Sequence, residues 1–364
     1  MKPPEPLRLL PHEICFGLFL LVTWTRLIFA LGFFSVHALL DLALLVANAW
    51  AIWFCRSNGT SRRWRLGLLF YPVAMNLIFM HMKVAIPLIH PASMDPVLHH
   101  LDSLLIGTNL SVRLQPIVHP ALTEFFSFCY ILFFPYLLFS MVYYFLGELE
   151  LLKQFVIGLF TIYGIGFLGY SLMPAAGPCH ALSDQFTVPL NGWWITKWNA
   201  AIVAQGSNGV DVFPSLHCAI SSFFLFFDRR HRPWRFRLYL IPCVGLWCST
   251  IYLRYHYLID VVCGFTLAAF ALWLANRFPL KETSAMPAGH ETDLTHWHLH
   301  KSKAPAISGV PLPLLLTQEG GEGRGDEALL LGFPSLHLSP HSFLAGREGT
   351  CINSNELTGL ALNS

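Results

Sequence analysis

Long apolar runs, separated by short polar or basic segments, cover the chain as far as about residue 275. At about 1.5 Å of rise per residue, a helix needs about 20 apolar residues to cross the hydrocarbon core of a bilayer. Eight runs reach or approach that length, and the sixth is marginal. Their approximate bounds are 14–34, 36–55, 66–89, 121–146, 155–172, 214–227, 237–253 and 257–275. The pattern predicts an all-α, polytopic membrane protein with about eight transmembrane helices.

The composition agrees with residence in a lipid bilayer. Of the 364 residues, 54% are hydrophobic and 12% are charged, whereas a soluble domain carries about 25% charged residues. The 30 Phe and 11 Trp suit lipid-facing surfaces and interfacial belts. The net charge of +2 and the absence of a long basic run give no indication of a nucleic-acid partner. The partner indicated is the bilayer itself.

Three basic clusters fix the predicted orientation. They lie at 56–65, 229–237 and 277–281, and the positive-inside rule places each of them in the cytoplasm. The chain then divides into two N-terminal helices with a cytoplasmic loop (1–65), a six-helix core (66–281) and a tail (282–364). The tail is rich in Gly, Pro, Ser and Leu and lacks helical periodicity, so it is predicted to be a disordered cytoplasmic segment.

The candidate chemistry lies between residues 213 and 264. Phe-Pro-Ser-Leu-His ends at His217, and His256 is followed four residues later by Asp260, which places that pair on one helix face. A carboxylate that holds one imidazole nitrogen leaves the other free to attack, and His217 is then available as the acid or base. The start of the sixth span, at Pro214 and Ser215, offers helix N–H groups to an anion. In the predicted topology both histidines face the periplasm, lumen or exterior.

Other ionisable residues fall within the predicted spans. Arg26 and Asp41 lie on the first two spans, where they either serve a function or pair across the helices; the structural pair is the favoured interpretation. Lys83, on the third span, either extends to the membrane surface or binds phosphate.

The motifs resemble those of the type 2 phosphatidic acid phosphatase (PAP2) superfamily, whose second motif is Pro-Ser-x-His and whose third ends in His-x-x-x-Asp. The resemblance covers about 66–275. It implies a PAP2-like six-helix core in which His256 is the nucleophile, Asp260 orients it and His217 protonates the leaving alcohol. Ser215 would help to hold the phosphate.

Two departures separate this chain from the phosphatases of that superfamily. No Lys or Arg occurs between Lys153 and Lys197, so the first motif, Lys-x6-Arg-Pro, is missing. In the third motif Ser249 is followed by Thr250 instead of Arg. With Ser-Thr-x-Tyr-Leu-x-x-His-Tyr-x-x-Asp at 249–260, the chain is more similar to the inositol phosphorylceramide synthase branch. The segment 95–107 also resembles that branch's Asp-x-x-Leu…Asp…Gly pattern.

The sequence does not decide which cation replaces the missing phosphate-binding Lys and Arg residues. Arg254 lies two residues before His256 and either clamps the phosphoryl oxygens or contacts lipid headgroups; the clamp, assisted by Lys83 or Arg113, is the favoured hypothesis. No Asp/Glu/His cluster near the site has the spacing of metal ligands, so no metal and no cofactor is expected.

These features predict a membrane-embedded lipid phosphotransferase that moves a phospho-headgroup through a phosphohistidine intermediate. The donor would be a membrane phospholipid and the acceptor a lipid or another alcohol. With water as the acceptor, the same first step gives the alternative, a lipid phosphate phosphatase. A lipid transporter or scramblase is the non-enzyme alternative, but the paired repeats with broken helices that many transporters show are not found. A haem-binding protein is disfavoured because the histidines that hold a haem would lie within facing helices, whereas His217 and His256 are predicted at helix ends.

Overall fold

The computed structural model describes residues 9–57 and 59–277 of the chain. These residues form helices joined by loops, and no β-strand occurs among them, which confirms the predicted all-α fold. In chain order the helices are α1 (Pro11–Leu31), α2 (Val36–Ser57), α3 (Ser61–Leu68), α4 (Phe70–Ile89), α5 (Asp95–Ile106), α6 (Leu110–Arg113), α7 (Pro120–Ile131), α8 (Phe133–Leu146), α9 (Leu149–Leu172), α10 (Pro178–Ala181), α11 (Trp194–Gly206), α12 (Leu216–His231), α13 (Pro233–Tyr252) and α14 (Leu258–Arg277).

Six stretches of the described residues are long and apolar enough to cross a membrane. They are Pro11–Leu31, Val36–Ser57, Ser61–Ile89, Pro120–Leu146, Leu149–Leu172 and Leu258–Arg277. The remaining two predicted spans correspond to α12, which has only 16 residues, and to α13, which carries Arg235 and Arg237 near its start. Membrane-spanning helices are therefore confirmed, whereas the predicted number of eight is not.

Helix α9 is the centre around which the other helices pack. Most of its side chains are buried, unlike those of the other candidate spans, which expose large apolar side chains to their surroundings. A Cβ atom at Gly164 would lie 2.8 Å from the backbone nitrogen of Phe16 in α1. Small residues of this kind let membrane helices approach each other closely. Helix α1 consequently lies against α9, and the N-terminal helices share one apolar core with the rest of the described chain.

Two of the long apolar stretches are interrupted where a proline follows. Helices α3 and α4 are separated at Leu69, and α7 and α8 are separated at Leu132. Pro72 and Pro135 come three residues after these breaks. Each lacks the N–H that would bind the carbonyl four residues earlier. The second break matters for the site, because Tyr130 and the residues just beyond the break pack against the ring of His217.

The predicted pairing of Arg26 with Asp41 is wrong. Arg26 lies on the side of α1 that faces α9, where its Nη1 donates to the carbonyl oxygen and hydroxyl of Ser171 at 2.6 and 2.8 Å. Asp41 instead lies 3.4 Å from Nδ1 of His81 on α4. The two ionisable groups of the first two spans thus serve two different helix contacts.

The division of the chain at residue 65 stays a prediction, and the predicted tail lies outside the described residues.

Candidate active site

The Phe-Pro-Ser-Leu-His segment ends in the first turn of α12. Ser215 is the N-cap of that helix, with its Oγ 3.4 Å from the N–H of Cys218, which donates to it. The backbone N–H of Ser215 donates to the carbonyl of Asp260 at 3.1 Å, and the Phe213–Pro214 peptide bond is cis. His217, one residue into α12, is therefore tied through the backbone to the start of α14.

Two glycines hold this segment from opposite sides. A Cβ atom at Gly169 of α9 would lie 2.9 Å from the carbonyl oxygen of Phe213. A Cβ atom at Gly264 of α14 would lie 2.6 Å from the carbonyl oxygen of Ser215. Because real Cβ contacts of this kind are essentially never shorter than 3.0 Å, any larger residue would displace the backbone. The position of the α12 N-terminus thus depends on the absence of two side chains.

His256 lies in the connection 253–257, between α13 and α14. Its N–H donates to the carbonyl of Thr250 at 3.0 Å, and the N–H of Tyr257 donates to Oδ2 of Asp260 at 2.8 Å. That second bond is the one that an acidic residue in the first helical turn makes back to the N-cap. The same Oδ2 lies 3.6 Å from Nδ1 of His256. Helix capping therefore aims the Asp260 carboxylate at the imidazole.

The fold brings the two histidines together. The ring centroids of His217 and His256 lie 5.9 Å apart, although the residues come from the ends of different helices. Tyr130 and Phe133 pack on the ring of His217 at 4.8 and 4.6 Å, on either side of the α7–α8 break. His256 is 3% exposed and Asp260 is fully buried. The predicted pairing of the two motifs at one site is therefore present in the geometry.

Several buried polar atoms at this site have no hydrogen-bond partner. They include Nδ1 of His217, Nδ1 of His256 and Oδ1 of Asp260. Buried polar atoms are normally satisfied, and each exception needs an explanation. Unmatched atoms also occur elsewhere among the described residues, for example on His12 and Asn48, but here they lie on the three groups that the sequence motifs single out.

Burial sets the protonation of the nucleophile candidate. It lowers the pKa of His256 to about 4, and the negative charge of Asp211 and the Val212 backbone offset part of that change. His256 is therefore neutral at neutral pH and keeps a lone pair for attack. Burial also raises the pKa of the Asp211 carboxylate, which accepts a hydrogen bond from Ser207 at 2.9 Å. Asp211 is a site residue that the sequence analysis missed; its place two residues before Phe213 was the available signal.

The predicted phosphate-binding residues are placed differently from one another. Arg254 is 4% exposed and has a φ of 68°; its guanidinium lies 4.1 Å above the ring of Phe186 and donates to the carbonyl of Val188. Lys83 and Arg113 are exposed, on α4 and α6. The Ser215 hydroxyl serves as a helix cap. Phosphate binding by these four residues stays a prediction, and the Arg254 side chain is held by the 186–188 loop.

Helix α5 carries two further carboxylates that the sequence analysis connected to the site only through a motif likeness. Asp102 accepts hydrogen bonds from the N–H groups of Leu258 and Ile259, both at 2.9 Å. Asp95 accepts one from the hydroxyl of Tyr257 at 2.9 Å. Asp95 and Asp102 are seven residues apart, and this spacing alone predicts that both carboxylates lie on one side of α5.

The outer connection 173–215 also contacts the residues around His256. Helix α11 begins where Glu124 of α7 accepts hydrogen bonds from the N–H groups of Trp193, Ile195 and Thr196. Asn199 of α11 donates to the hydroxyl of Tyr255, the neighbour of His256.

No cluster of three or more His, Cys, Asp or Glu side chains that could hold a metal occurs within 9–57 and 59–277; independence from metals stays a prediction.

Part of the chain is similar to known proteins. The family model described as the PAP2 superfamily matches residues 97–274, the part that carries His217, His256, Asp260 and helix α5 without its first two residues, Asp95 and Pro96. A phosphoinositol dihydroceramide synthase of Bacteroides thetaiotaomicron is 28% identical over 162 residues, which is 40% of this chain and 52% of that protein. The chain thus spans about half the length of this curated relative, and no solved structure matches it. With six candidate membrane helices among its described residues, the chain is an integral membrane protein, and its residues 97–274 are similar to the PAP2 superfamily.

Proposed function

We propose that this protein is a lipid phosphotransferase that moves a phospho-headgroup from a membrane phospholipid to an acceptor hydroxyl through a phosphohistidine at His256. The observation that carries the proposal is the meeting of His217 and His256 at 5.9 Å, with Asp260 behind His256. A nucleophile, an orienting carboxylate and a second imidazole are the groups that a two-step displacement requires.

In the first step His256 attacks the phosphorus of the donor. Asp260 lies toward Nδ1, so Nε2 is the attacking nitrogen. An N–P bond forms and the bond from phosphorus to the glycerol oxygen breaks. Burial lowers the pKa of His217 to about 3, so His217 is neutral in the free enzyme and takes up a proton when the anionic phosphate of the donor binds beside it. The protonated His217 then gives this proton to the glycerol oxygen, and diacylglycerol leaves as a neutral alcohol.

In the second step an acceptor alcohol attacks the phosphohistidine, His217 acts as the base and His256 is the leaving group. His217, now neutral, removes the proton from the acceptor hydroxyl, whose oxygen attacks the phosphorus. The N–P bond breaks and restores neutral His256. If water takes the acceptor's place, the same steps release a phosphorylated headgroup, which is the hydrolytic alternative.

The charges around His256 favour a phosphodiester donor over a phosphomonoester. Asp260 and Asp211 both interact with His256, while Arg254 is held by Phe186 and Val188. A phosphomonoester carries up to two negative charges at neutral pH, because its second pKa is about 6, whereas a diester carries one. Carboxylates beside the nucleophile repel the dianion more strongly. This supports transfer from a phospholipid over dephosphorylation of a lipid phosphate.

The site is proposed to face the extracytoplasmic side. The basic cluster at 229–237 and Arg277 lie at the ends of α12 and α14 that are opposite to the site residues His217 and Asp260. The positive-inside rule assigns both, and the cluster at 56–65, to the cytoplasm. Asp184 is exposed in the loop on the site side. A cysteine introduced by Asp184→Cys should react with an impermeant maleimide added outside intact cells; reaction only after the membrane is opened would reverse the orientation.

The test uses purified protein in phospholipid vesicles. The name of the Bacteroides relative suggests phosphatidylinositol as the first donor and dihydroceramide as the first acceptor to try. Release of diacylglycerol and formation of phosphoinositol dihydroceramide in equal amounts are expected, and both should disappear in His256→Ala. His100→Ala, which removes an exposed histidine of α5, is the matched control and should keep its activity.

The outcomes separate the alternatives. Equal amounts of diacylglycerol and inositol phosphate with no dependence on an acceptor would favour the hydrolase. Absence of diacylglycerol release from every phosphodiester lipid, together with lipid movement between leaflets that survives His256→Ala, would overturn the enzyme proposal in favour of a scramblase.

A further inference from the structure

Helix α5 buries charge and exposes apolar side chains. Asp95 and Asp102 are 4% and 0% exposed, and Leu98 lies buried between them. Val97, Leu104 and Leu105 are exposed on other sides of the helix, as expected of a helix that lies in the membrane interface. Buried carboxylates are tolerated where hydrogen bonds replace their hydration, so the partners of these two side chains show what the helix holds.

Asp102 binds the backbone between His256 and Asp260. Its Oδ2 accepts from the N–H of Leu258 and its Oδ1 from the N–H of Ile259, both at 2.9 Å. Asn109 also donates to Oδ2, at 3.4 Å. These two N–H groups belong to the first turn of α14 and have no partner within their own helix. A side chain 156 positions away in sequence thus caps the helix that carries Asp260.

Asp95 binds the residue next to His256 and links it to a second chain segment. Its Oδ1 accepts from the hydroxyl of Tyr257 and from the N–H of Gly177, both at 2.9 Å. Its Oδ2 accepts from the N–H of Ala176 at 2.8 Å and from the hydroxyl of Ser93. The turn after α9 and the loop that bears His256 are therefore held against the same carboxylate.

We propose that Asp95 and Asp102 are positioning residues for the phosphoryl transfer: together they fix Tyr257, Leu258 and Ile259, and so set the distance between His256 and Asp260. That distance is 3.6 Å from Nδ1 to Oδ2, longer than a hydrogen bond. A shift of a fraction of an ångström decides whether the carboxylate binds the imidazole. This inference rests on the proposed function, because it concerns the attack by His256.

The test separates the rate of attack from the number of folded sites. Purified Asp102→Asn, Tyr257→Phe and wild-type protein in phosphatidylinositol vesicles are mixed rapidly, and diacylglycerol release is followed in the first turnover. The burst amplitude counts competent sites, whereas the burst rate constant measures the attack. An asparagine has one side-chain oxygen and an NH2 group that only donates, so Leu258 and Ile259 no longer have an acceptor oxygen each. Tyr257→Phe removes only the hydroxyl bound to Asp95.

We expect Asp102→Asn to lower the burst rate constant about tenfold to a hundredfold, because small misplacements of reacting groups have effects of that order. Tyr257→Phe should lower it by a smaller factor, with KM for the donor unchanged in both. The amplitude per folded molecule should stay that of wild type. Asp184→Asn, which neutralises an exposed carboxylate on the same side of the protein, is the matched control and should change neither value.

A lower amplitude with a wild-type rate constant would show that the two carboxylates serve folding alone and would overturn the proposal. If Asp102→Asn does not fold, Tyr257→Phe decides by itself, and an unchanged rate constant overturns the proposal. Failure of the proposed function has a different signature, since the wild-type protein itself would then release no diacylglycerol.

Discussion

The two ends of α12 show how one kind of buried polar cluster serves two purposes. At one end Asp228 and Arg235 are both fully buried, with Nε of Arg235 3.0 Å from each oxygen of Asp228. Tyr136 donates to Oδ2 of Asp228 at 3.0 Å, Tyr144 donates to its Oδ1, and Arg235 also donates to Ser140. At the other end His256 and Asp260 are also buried, whereas His217 is partly exposed.

The difference lies in how many hydrogen bonds are formed. Both oxygens of Asp228 are satisfied by protein donors. One nitrogen of Arg235, Nη1, has no hydrogen-bond partner, but the guanidinium is surrounded by six aromatic rings, which attract a cation: Tyr136, Phe139, Tyr143, Tyr144, Trp234 and Tyr239. At the site end, by contrast, each of the three reactive groups keeps an unmatched atom. We therefore interpret the Asp228 cluster as structural and the opposite end of α12 as the ligand-binding end, because the unmatched atoms there belong to the two histidines and the carboxylate of the sequence motifs.

Asp260→Asn should have the largest effect on activity and little on stability. The asparagine side-chain oxygen can still accept from Tyr257, so the cap of α14 remains. The orienting charge behind His256 is lost, and exchanging such a carboxylate for an amide has lowered kcat by about 10⁴-fold in a Ser-His-Asp enzyme. We expect a loss of about 10³-fold or more in turnover, with an unchanged or higher thermal midpoint. A variant that turns over normally would remove Asp260 from the mechanism.

Asp228→Asn should do the opposite. Removing one partner of a buried ion pair leaves the other uncompensated and lowers the free energy of unfolding by about 3–5 kcal/mol. Turnover per folded molecule should stay within about twofold of wild type, because Asp228 follows His217 by three turns of α12, a rise of about 17 Å. Denaturation in mild detergent and turnover per active site are the two measurements. A loss of turnover in the fully folded variant would contradict the division between the two ends.

Gly264→Ala tests how the site end is held. Its Cβ atom would lie 2.6 Å from the carbonyl oxygen of Ser215, so α12 or α14 must shift. A displacement of that kind should lower kcat by about tenfold to a hundredfold. Gly206→Ala at the end of α11, where nothing lies within 4 Å of the added Cβ, is the matched control. Equal turnover in the two variants would show that the position of Ser215 is not critical.

Sequence patterns predicted the site better than its supports. His217 carries a local signal, a helix start, that is present in the fold. The i, i+4 spacing of His256 and Asp260 predicted that they share one helix face, which is wrong: His256 precedes α14, and the two side chains meet because Asp260 caps that helix. The partner of Arg26 and the contacts of Arg235 depend on how apolar helices rotate against one another. Helices that are apolar all round have little amphipathic periodicity from which to predict rotation. The short α12 was likewise a marginal span in the sequence, and the number of membrane crossings therefore does not follow from hydropathy alone.

Arg254→Ala should have a moderate effect, smaller than loss of a phosphate clamp would give. In the structure the guanidinium is bound to the 186–188 loop through Phe186 and Val188. Burial lowers the pKa of Arg254 to about 10, so it still carries its charge at neutral pH. We expect faster proteolysis of the outer loop and a loss of turnover below about tenfold. A loss of a hundredfold or more with the loop still protected would instead support the clamp predicted from the sequence.

The smallest expected effect is a displaced acid limb in the pH profile. The reactive form of His256 is neutral, so activity falls when protons bind it, and a histidine with the ordinary pKa of about 6.5 would be half-protonated at that pH. Because burial lowers the pKa of His256 to about 4, kcat/KM, which reports on the free enzyme, should show no loss due to His256 between pH 7 and pH 5. The measurement uses detergent-solubilised protein and a phosphodiester donor, whose single charge does not change over this range. A midpoint near pH 6.5 would show that water reaches His256 in the free enzyme. The site at the start of α12 would then be open to solvent before the ligand binds, and not buried.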